Sequence, residues 1–462
     1  MKRVKTLAAL SAAVLVVGIA AYATADAKDL VPGVLTLATP APTGLAPLPT
    51  PAQPSPSTDP TAPTAQGISA ALAPVLADPA LGAGAGAIVR DVASGEILFA
   101  VEGDRPRVVA SAQKVLSAVA ITDQLAVTDT MDTKVVDGGP GQVVLVAGGD
   151  TLLATGKGDP TAVIGRAGLA DLATQVAAAA PAGPLSVTLD TTYAAGPRVP
   201  SVWNPADVAM GFTRGVSMIG LAENRPVHGV VPRQEIDADV VSAFVAALVA
   251  AGRPATVAPQ LAVTAPAGAR VLGTVKSAPI GEVLAHGMAD SDNAILENLT
   301  RQAMVAAGQQ VPADGATGAF VTSALKDREI DTTGLQLKDA SGLAPGQLAT
   351  LQALDGVLAL GLGQSAPPLK GVLVRLPVAG LTGTLSDRFA SPDTATAAGV
   401  PQAKTGTLTG IGALAGMTTD ADGRLLSFVV ASDTVPKSYE GTTRARMALD
   451  RFAATLTACG CH

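Results

Sequence analysis

Alternating and helical patterns of apolar residues outline the elements of this 462-residue chain. Residues 87–92 and 96–100, turning at Ser94-Gly95, alternate as a β-hairpin does. From Ser111 to Leu125 the run SAQKVLSAVAITDQL sets Val115, Leu116, Val119 and Ile121 on one side of a helix. Residues 68–76, 165–179 and 237–251 predict further helices, and another runs from after Asn293 to about Ala307. Residues 141–149 and 185–190 predict strands. Late in the chain, 402–408, 412–418 and 425–432 predict antiparallel strands, the last two turning at Asp422-Gly423. Helices flanking an antiparallel sheet define an α+β class.

The N-terminus departs from these patterns. Lys2, Arg3 and Lys5 precede a 17-residue apolar run from Leu7 to Ala23, followed by the small-residue triplets Ala23-Thr24-Ala25 and Ala25-Asp26-Ala27. Residues 1–27 therefore predict a signal peptide or a retained membrane anchor, with the rest of the chain exported. Residues 28–66 hold ten prolines among Ala, Thr and Ser and predict a disordered, partly polyproline II linker. At roughly 3.1 Å per residue it spans up to about 100 Å. The folded part is expected from Gly67.

Composition removes some functions. Hydrophobic residues make up 48% and aromatics only 2%, so Ala, Val and Leu must build the core. A formal net charge of -7 without a basic patch excludes a nucleic-acid partner. Cys459, Cys461 and His462 fall short of a four-ligand zinc site, and His228 and His286 have no ligand-like spacing, so no metal or cofactor is expected. For Cys459 and Cys461, a strained small-ring disulfide, a tail contact and a free pair all remain open.

Three short motifs carry chemistry: Ser111-Ala112-Gln113-Lys114, Ser291-Asp292-Asn293 and Lys404-Thr405-Gly406. Residues three apart share a helix face, so Lys114 reaches the Ser111 hydroxyl. With no histidine nearby, Lys114 is the candidate base, held neutral by burial beside cations such as Lys404. Ser291 and Asn293 read either as a helix cap or as a proton relay and a holder of the substrate amide. Lys404 with Thr405, Gly406 and Thr407 reads as an exposed strand end or as a carboxylate clamp. The backbone N–H groups of Ser111 and Thr407 are the expected oxyanion hole. A second copy, Ser323-Ala324-Leu325-Lys326, follows Ser291 rather than preceding it and reads as a surface pair.

From about Gly86 to Phe452 the chain resembles the D-alanyl-D-alanine carboxypeptidase/endopeptidase family of class C low-molecular-mass penicillin-binding proteins, the S13 peptidases. The resemblance rests on the three motifs in order and on four further segments. These are Leu145 to Asp150 with Gly158-Asp159-Pro160-Thr161, Asp339-Ala340-Ser341-Gly342-Leu343, Leu376-Pro377-Val378-Ala379-Gly380, and Gly383-Thr384-Leu385. It implies a penicillin-binding/β-lactamase-like transpeptidase domain at 67–135 and 272–462, with a smaller α/β domain inserted at 136–271 between motifs 180 residues apart. It further implies an acyl-enzyme on Ser111, peptidoglycan stem peptides ending in D-Ala-D-Ala as substrates, β-lactams as inhibitors, and no cofactor. The membrane is a partner only through the N-terminal segment, and the location is extracytoplasmic. A further small domain that many members carry after a segment like Val216 to Asn224 looks absent here. A β-lactamase or esterase on the same fold and a non-catalytic wall-binding protein are the rival readings.

Overall fold

The computed structural model describes residues 61–224 and 235–462. The expected signal or anchor, His228 and the linker up to residue 60 lie outside the described residues. The linker expected to reach 66 gives way to a helix, Ala65–Leu76, capped by the Thr64 hydroxyl, which accepts from Gly67 N at 3.0 Å. Strands β1 (Gly86–Asp91) and β2 (Ile97–Val101) form the expected hairpin. Next come β3 (Thr130–Gly139), β4 (Gln142–Val146), β5 (Leu185–Asp190), β6 (Ala255–Ala262) and β7 (Val271–Pro279), then β8 (Gln402–Leu408), β9 (Ile411–Thr419) and β10 (Leu425–Ser432).

The strands make two sheets. The first, ordered β2-β1-β10-β9-β8, is antiparallel throughout and joins the two ends of the chain. Because side chains alternate across a strand, one face takes Ile88, Ala413, Ala415, Met417, Val429 and Ala431. These pack with the helix Lys114–Gln124 and its neighbours Asn293–Ala306 and Leu351–Leu362. The other face takes Val89, Leu414, Leu426, Phe428 and Val430, under the C-terminal helix Tyr439–Ala458. A buried ion pair between Arg388 and Asp450, 2.5 Å apart, fastens that helix to the segment leading into β8. Small residues fill most of these positions, as the scarcity of aromatics requires.

The second sheet is ordered β6-β5-β4-β3-β7, with β4, β5 and β6 parallel and β3 antiparallel to both its neighbours. Helices Leu169–Ala179 and Ile236–Ala250 cover it with a separate core that includes Phe244 and Leu248. This sheet begins at Thr130 and ends at Pro279, so the boundary expected at 136 falls within β3 and that expected at 272 within β7. Ten residues, 225–234, join Asn224 to Glu235, too few for a domain of their own. Among the described residues no helix is long and apolar enough to cross a membrane.

The first described segment meets the C-terminal tail. Thr64 N donates to the Cys461 carbonyl at 2.7 Å, and Cys459 and Cys461 close as a disulfide with Cα atoms 5.1 Å apart. Of the three states left open for this pair, the structure has the small-ring disulfide.

Candidate active site

Ser111 lies in a 3₁₀ turn, Ala110–Gln113, that feeds the α-helix starting at Lys114, rather than in the α-helix expected to begin with it. Ala110 is left-handed at φ 48°, an unusual conformation for a residue with a side chain. Two glycine backbones press on this turn. A β-carbon on Gly406 of β8 would stand 2.1 Å from Val109 O, and one on Gly342 would stand 2.2 Å from Ala110 O. Only glycine allows both approaches.

Lys114 is fully buried and spends its three donors in three directions. Nζ donates to Ser111 Oγ at 2.8 Å, to Asn293 Oδ1 at 2.5 Å and to the Ser341 carbonyl at 2.6 Å. Asn293 opens the helix Asn293–Ala306, and its Nδ2 donates to Phe212 O at 3.0 Å. The cap of that helix is Asp292, whose Oδ1 accepts from Ile295 N at 3.0 Å. The cap reading of Ser-Asp-Asn thus falls to Asp292 rather than Ser291 or Asn293, and Asn293 faces the lysine.

Ser291 is partly exposed and left-handed at φ 58°. Among the described residues its hydroxyl makes no hydrogen bond to Ser111, Lys114 or Lys404. Lys404 is fully buried on β8 and donates to Thr405 O at 2.9 Å. Thr405 Oγ1 in turn donates to Thr384 Oγ1 at 2.9 Å, which joins the Gly383-Thr384-Leu385 segment to the site. Thr407 is exposed one residue beyond Gly406, on the strand that touches the Ser111 turn. Ser323 and Lys326 are both exposed on the helix Gly318–Asp327, as a surface pair.

The loop at 339–344 completes the arrangement. The buried Asp339 carboxylate accepts from the backbone N–H groups of Ser341, Gly342 and Ala344, from Gln347 Nε2 and from Trp203 Nε1, all within 3.1 Å. It thereby fixes the Ser341 carbonyl that Lys114 uses.

The family model for D-Ala-D-Ala carboxypeptidase 3 (S13) matches residues 68–247 and 220–456. The chain belongs to this family. It is a serine-type D-Ala-D-Ala carboxypeptidase, a hydrolase. Carboxypeptidase DacB of Mycolicibacterium smegmatis is 36% identical over 406 residues, covering 86% of this chain and 85% of that protein. The D-alanyl-D-alanine carboxypeptidase of Actinomadura sp. strain R39 is 28% identical, covering 77% and 79%. In fold, penicillin-binding protein 4 of Haemophilus influenzae superposes with a TM-score of 0.66 at 21% identity, covering 84% of this chain and 98% of that one.

In this S13 enzyme, burial draws Lys114 down to about 8, while the charges of Asp339, Asp292 and Glu297 pull it back up. Lys404 is lowered well below its ordinary value, first by burial and then by the charge of Lys114. Burial, as expected, is the leading cause at both lysines, and the like charge of the other lysine adds to it at Lys404.

Glu297 carries no motif signature, and the sequence reading passed it over. It lies one helical turn after Asn293, and that spacing is the one signal that points to it. Its oxygens accept from Ala340 N at 2.7 Å and Thr317 Oγ1 at 2.8 Å. Burial, then Asp339, pushes its carboxyl from 4.5 up to about 8. A carboxyl whose folded pKa is raised favours the fold at low pH, and that contribution fades as pH climbs from about 4.5 to about 8. Glu297→Gln removes the ionisation; its amide oxygen still accepts from Ala340 N, while its Nε2 donates to the Thr317 hydroxyl instead of accepting from it. Urea denaturation across this range should show the variant gaining stability relative to the parent as pH rises. The rising limb of its acylation rate should also move to lower pH, because an anion that holds the proton on Lys114 is gone. Superimposable pH profiles would refute the coupling.

Proposed function

We propose that Ser111 is the nucleophile of this carboxypeptidase and Lys114 its general base, and that the substrate is a peptidoglycan stem peptide ending in D-Ala-D-Ala. The observation that carries this reading is the 2.8 Å contact between Lys114 Nζ and Ser111 Oγ, inside a buried site that favours the neutral amine. A neutral amine keeps two N–H donors for Asn293 Oδ1 and the Ser341 carbonyl and turns its lone pair toward the Ser111 hydroxyl. The Ser111 proton passes to Lys114 as Oγ bonds to the carbonyl of the penultimate D-Ala. The backbone N–H groups of Ser111 and Thr407 receive the oxyanion. When the intermediate collapses, the C–N bond breaks, and the proton reaches the departing D-Ala amine through Lys114 and Ser291. Lys404, Thr405 and Gly406 hold the terminal carboxylate, with Asn293 against the substrate amide. Water then hydrolyses the ester and frees Ser111.

The enzyme works on peptidoglycan outside the cytoplasm and interacts with β-lactams. The N-terminal segment exports it or anchors it to the outer face of the membrane. The β-lactamase alternative needs a carboxylate that activates water on the acyl-enzyme. Glu297 is one buried carboxyl whose charge reaches Lys114, but it is fully enclosed and already holds Ala340 N and Thr317 Oγ1.

Peptide mass spectrometry after incubation with benzylpenicillin tests the reading. The expected product is one intact penicillin added to the peptide containing Ser111 and lasting through the digest. An adduct on another peptide would assign the wrong serine, and rapid release of hydrolysed drug would favour the β-lactamase. Release of D-Ala from a D-Ala-D-Ala-terminated pentapeptide checks the substrate.

A further inference from the structure

A second cationic pocket, of about 150 Å³, lies along the helix Asn293–Ala306, bounded by Gly196, Arg198, Ser217, Asp237 and Arg301. Arg301 is 1% exposed. Its Nη2 donates to Pro197 O at 2.7 Å, and its buried Nε meets no acceptor among the described residues. Arg198 is ion-paired with Asp237, yet its Nη1 is also buried with no acceptor among the described residues. Glu297, one turn before Arg301, has turned its oxygens to Ala340 N and Thr317 Oγ1. Two guanidinium groups thus line a pocket with one carboxylate: Asp237 pairs with Arg198 alone and keeps its Oδ1 without a donor among the described residues, Glu297 acts on Arg301 through its charge, and two guanidinium N–H donors remain unused. Leaving donors of a buried cation unmet is costly.

We propose that this pocket binds an oxyanion group, a carboxylate or a phosphate, presented by a ligand that reaches it past Arg198, whose side chain is 38% exposed. The volume admits such a group. Guanidinium N–H groups match oxyanions in geometry and charge. Wall material offers the group from two sources, the free carboxylates of peptide stems and the phosphates of polymer chains. The pocket is tied to the helix that begins at Asn293. Asn298, one turn before Arg301, donates to Ser217 O at 2.6 Å and to Gly149 O at 3.2 Å. The proposal stands on these contacts and not on the assignment of Ser111.

Isothermal titration of the full chain with inorganic phosphate, and separately with acetate, tests it. Saturable binding is expected in the parent and in Lys404→Met, which removes the buried cation of the catalytic cleft. Arg198→Gln and Arg301→Met should each weaken binding by about tenfold or more, roughly 1.4 kcal/mol. Arg198 sits at the rim, so its variant carries the test if Arg301→Met fails to fold. Tighter phosphate than acetate points to phosphate chains as the source, and the reverse order to peptide carboxylates. No binding in the parent, equal binding in all variants, or loss confined to Lys404→Met would overturn the proposal.

Discussion

Replacing Lys114 with methionine should slow β-lactam acylation by about 10⁴-fold or more, the scale seen when a base is removed from a serine catalytic unit. Methionine fills nearly the same space, so the packing around the helix Lys114–Gln124 survives. What disappears is the group proposed to accept the Ser111 proton, together with the donors to Asn293 Oδ1 and Ser341 O. The variant should keep the parent's circular dichroism and lose label in a time course with fluorescent penicillin. Folded protein that labels within tenfold of the parent would move the base elsewhere. Arginine at this position should fail as badly, because a guanidinium does not give up its proton in proteins.

The second large effect concerns stability. Asp339→Ala leaves three backbone N–H groups and the side chains of Gln347 and Trp203 without their buried acceptor. Removing one partner of a buried charged network costs roughly 3–5 kcal/mol. Chemical denaturation should show a fall of that size, and acylation should slow as well because the Ser341 carbonyl loses its anchor. Asp339→Asn keeps one acceptor oxygen and should lie between parent and alanine. A denaturation midpoint unchanged in the alanine variant would show that water or a shifted loop replaces the carboxylate.

These two residues also mark where sequence reading ended. The contact of Ser111 with Lys114 was legible because residues three apart meet on a helical turn. The motifs also pointed to Asn293, which the fold brings onto Lys114. The Ser341 carbonyl was not legible, since every residue has one and only the folded loop aims it. Ala110 and Ser291 take left-handed backbones that their residue types do not announce. In the fold, β6 escaped notice because it is a sheet edge, mostly exposed and interrupted by Pro259. The helix Tyr439–Ala458 was not named, although Ala445, Leu449, Phe452 and Leu456 recur at helical spacing on its buried side. The strands β1, β9 and β10 were readable because long apolar runs bounded by turns leave few other solutions.

The contact between Thr64 and Cys461 makes the folded part a ring in all but one covalent link. Topologically, its beginning and end are a matter of where the chain happens to be cut. A direct join between them would leave both sheets and the cleft in place, while fresh termini opened at the Asp422-Gly423 turn would cut a hairpin tip that also holds the C-terminal tail, through Ala421 N to Cys459 O and Asp422 to His462. The same closure means that whatever precedes residue 64 and whatever is attached after His462 must share a single exit from the enzyme.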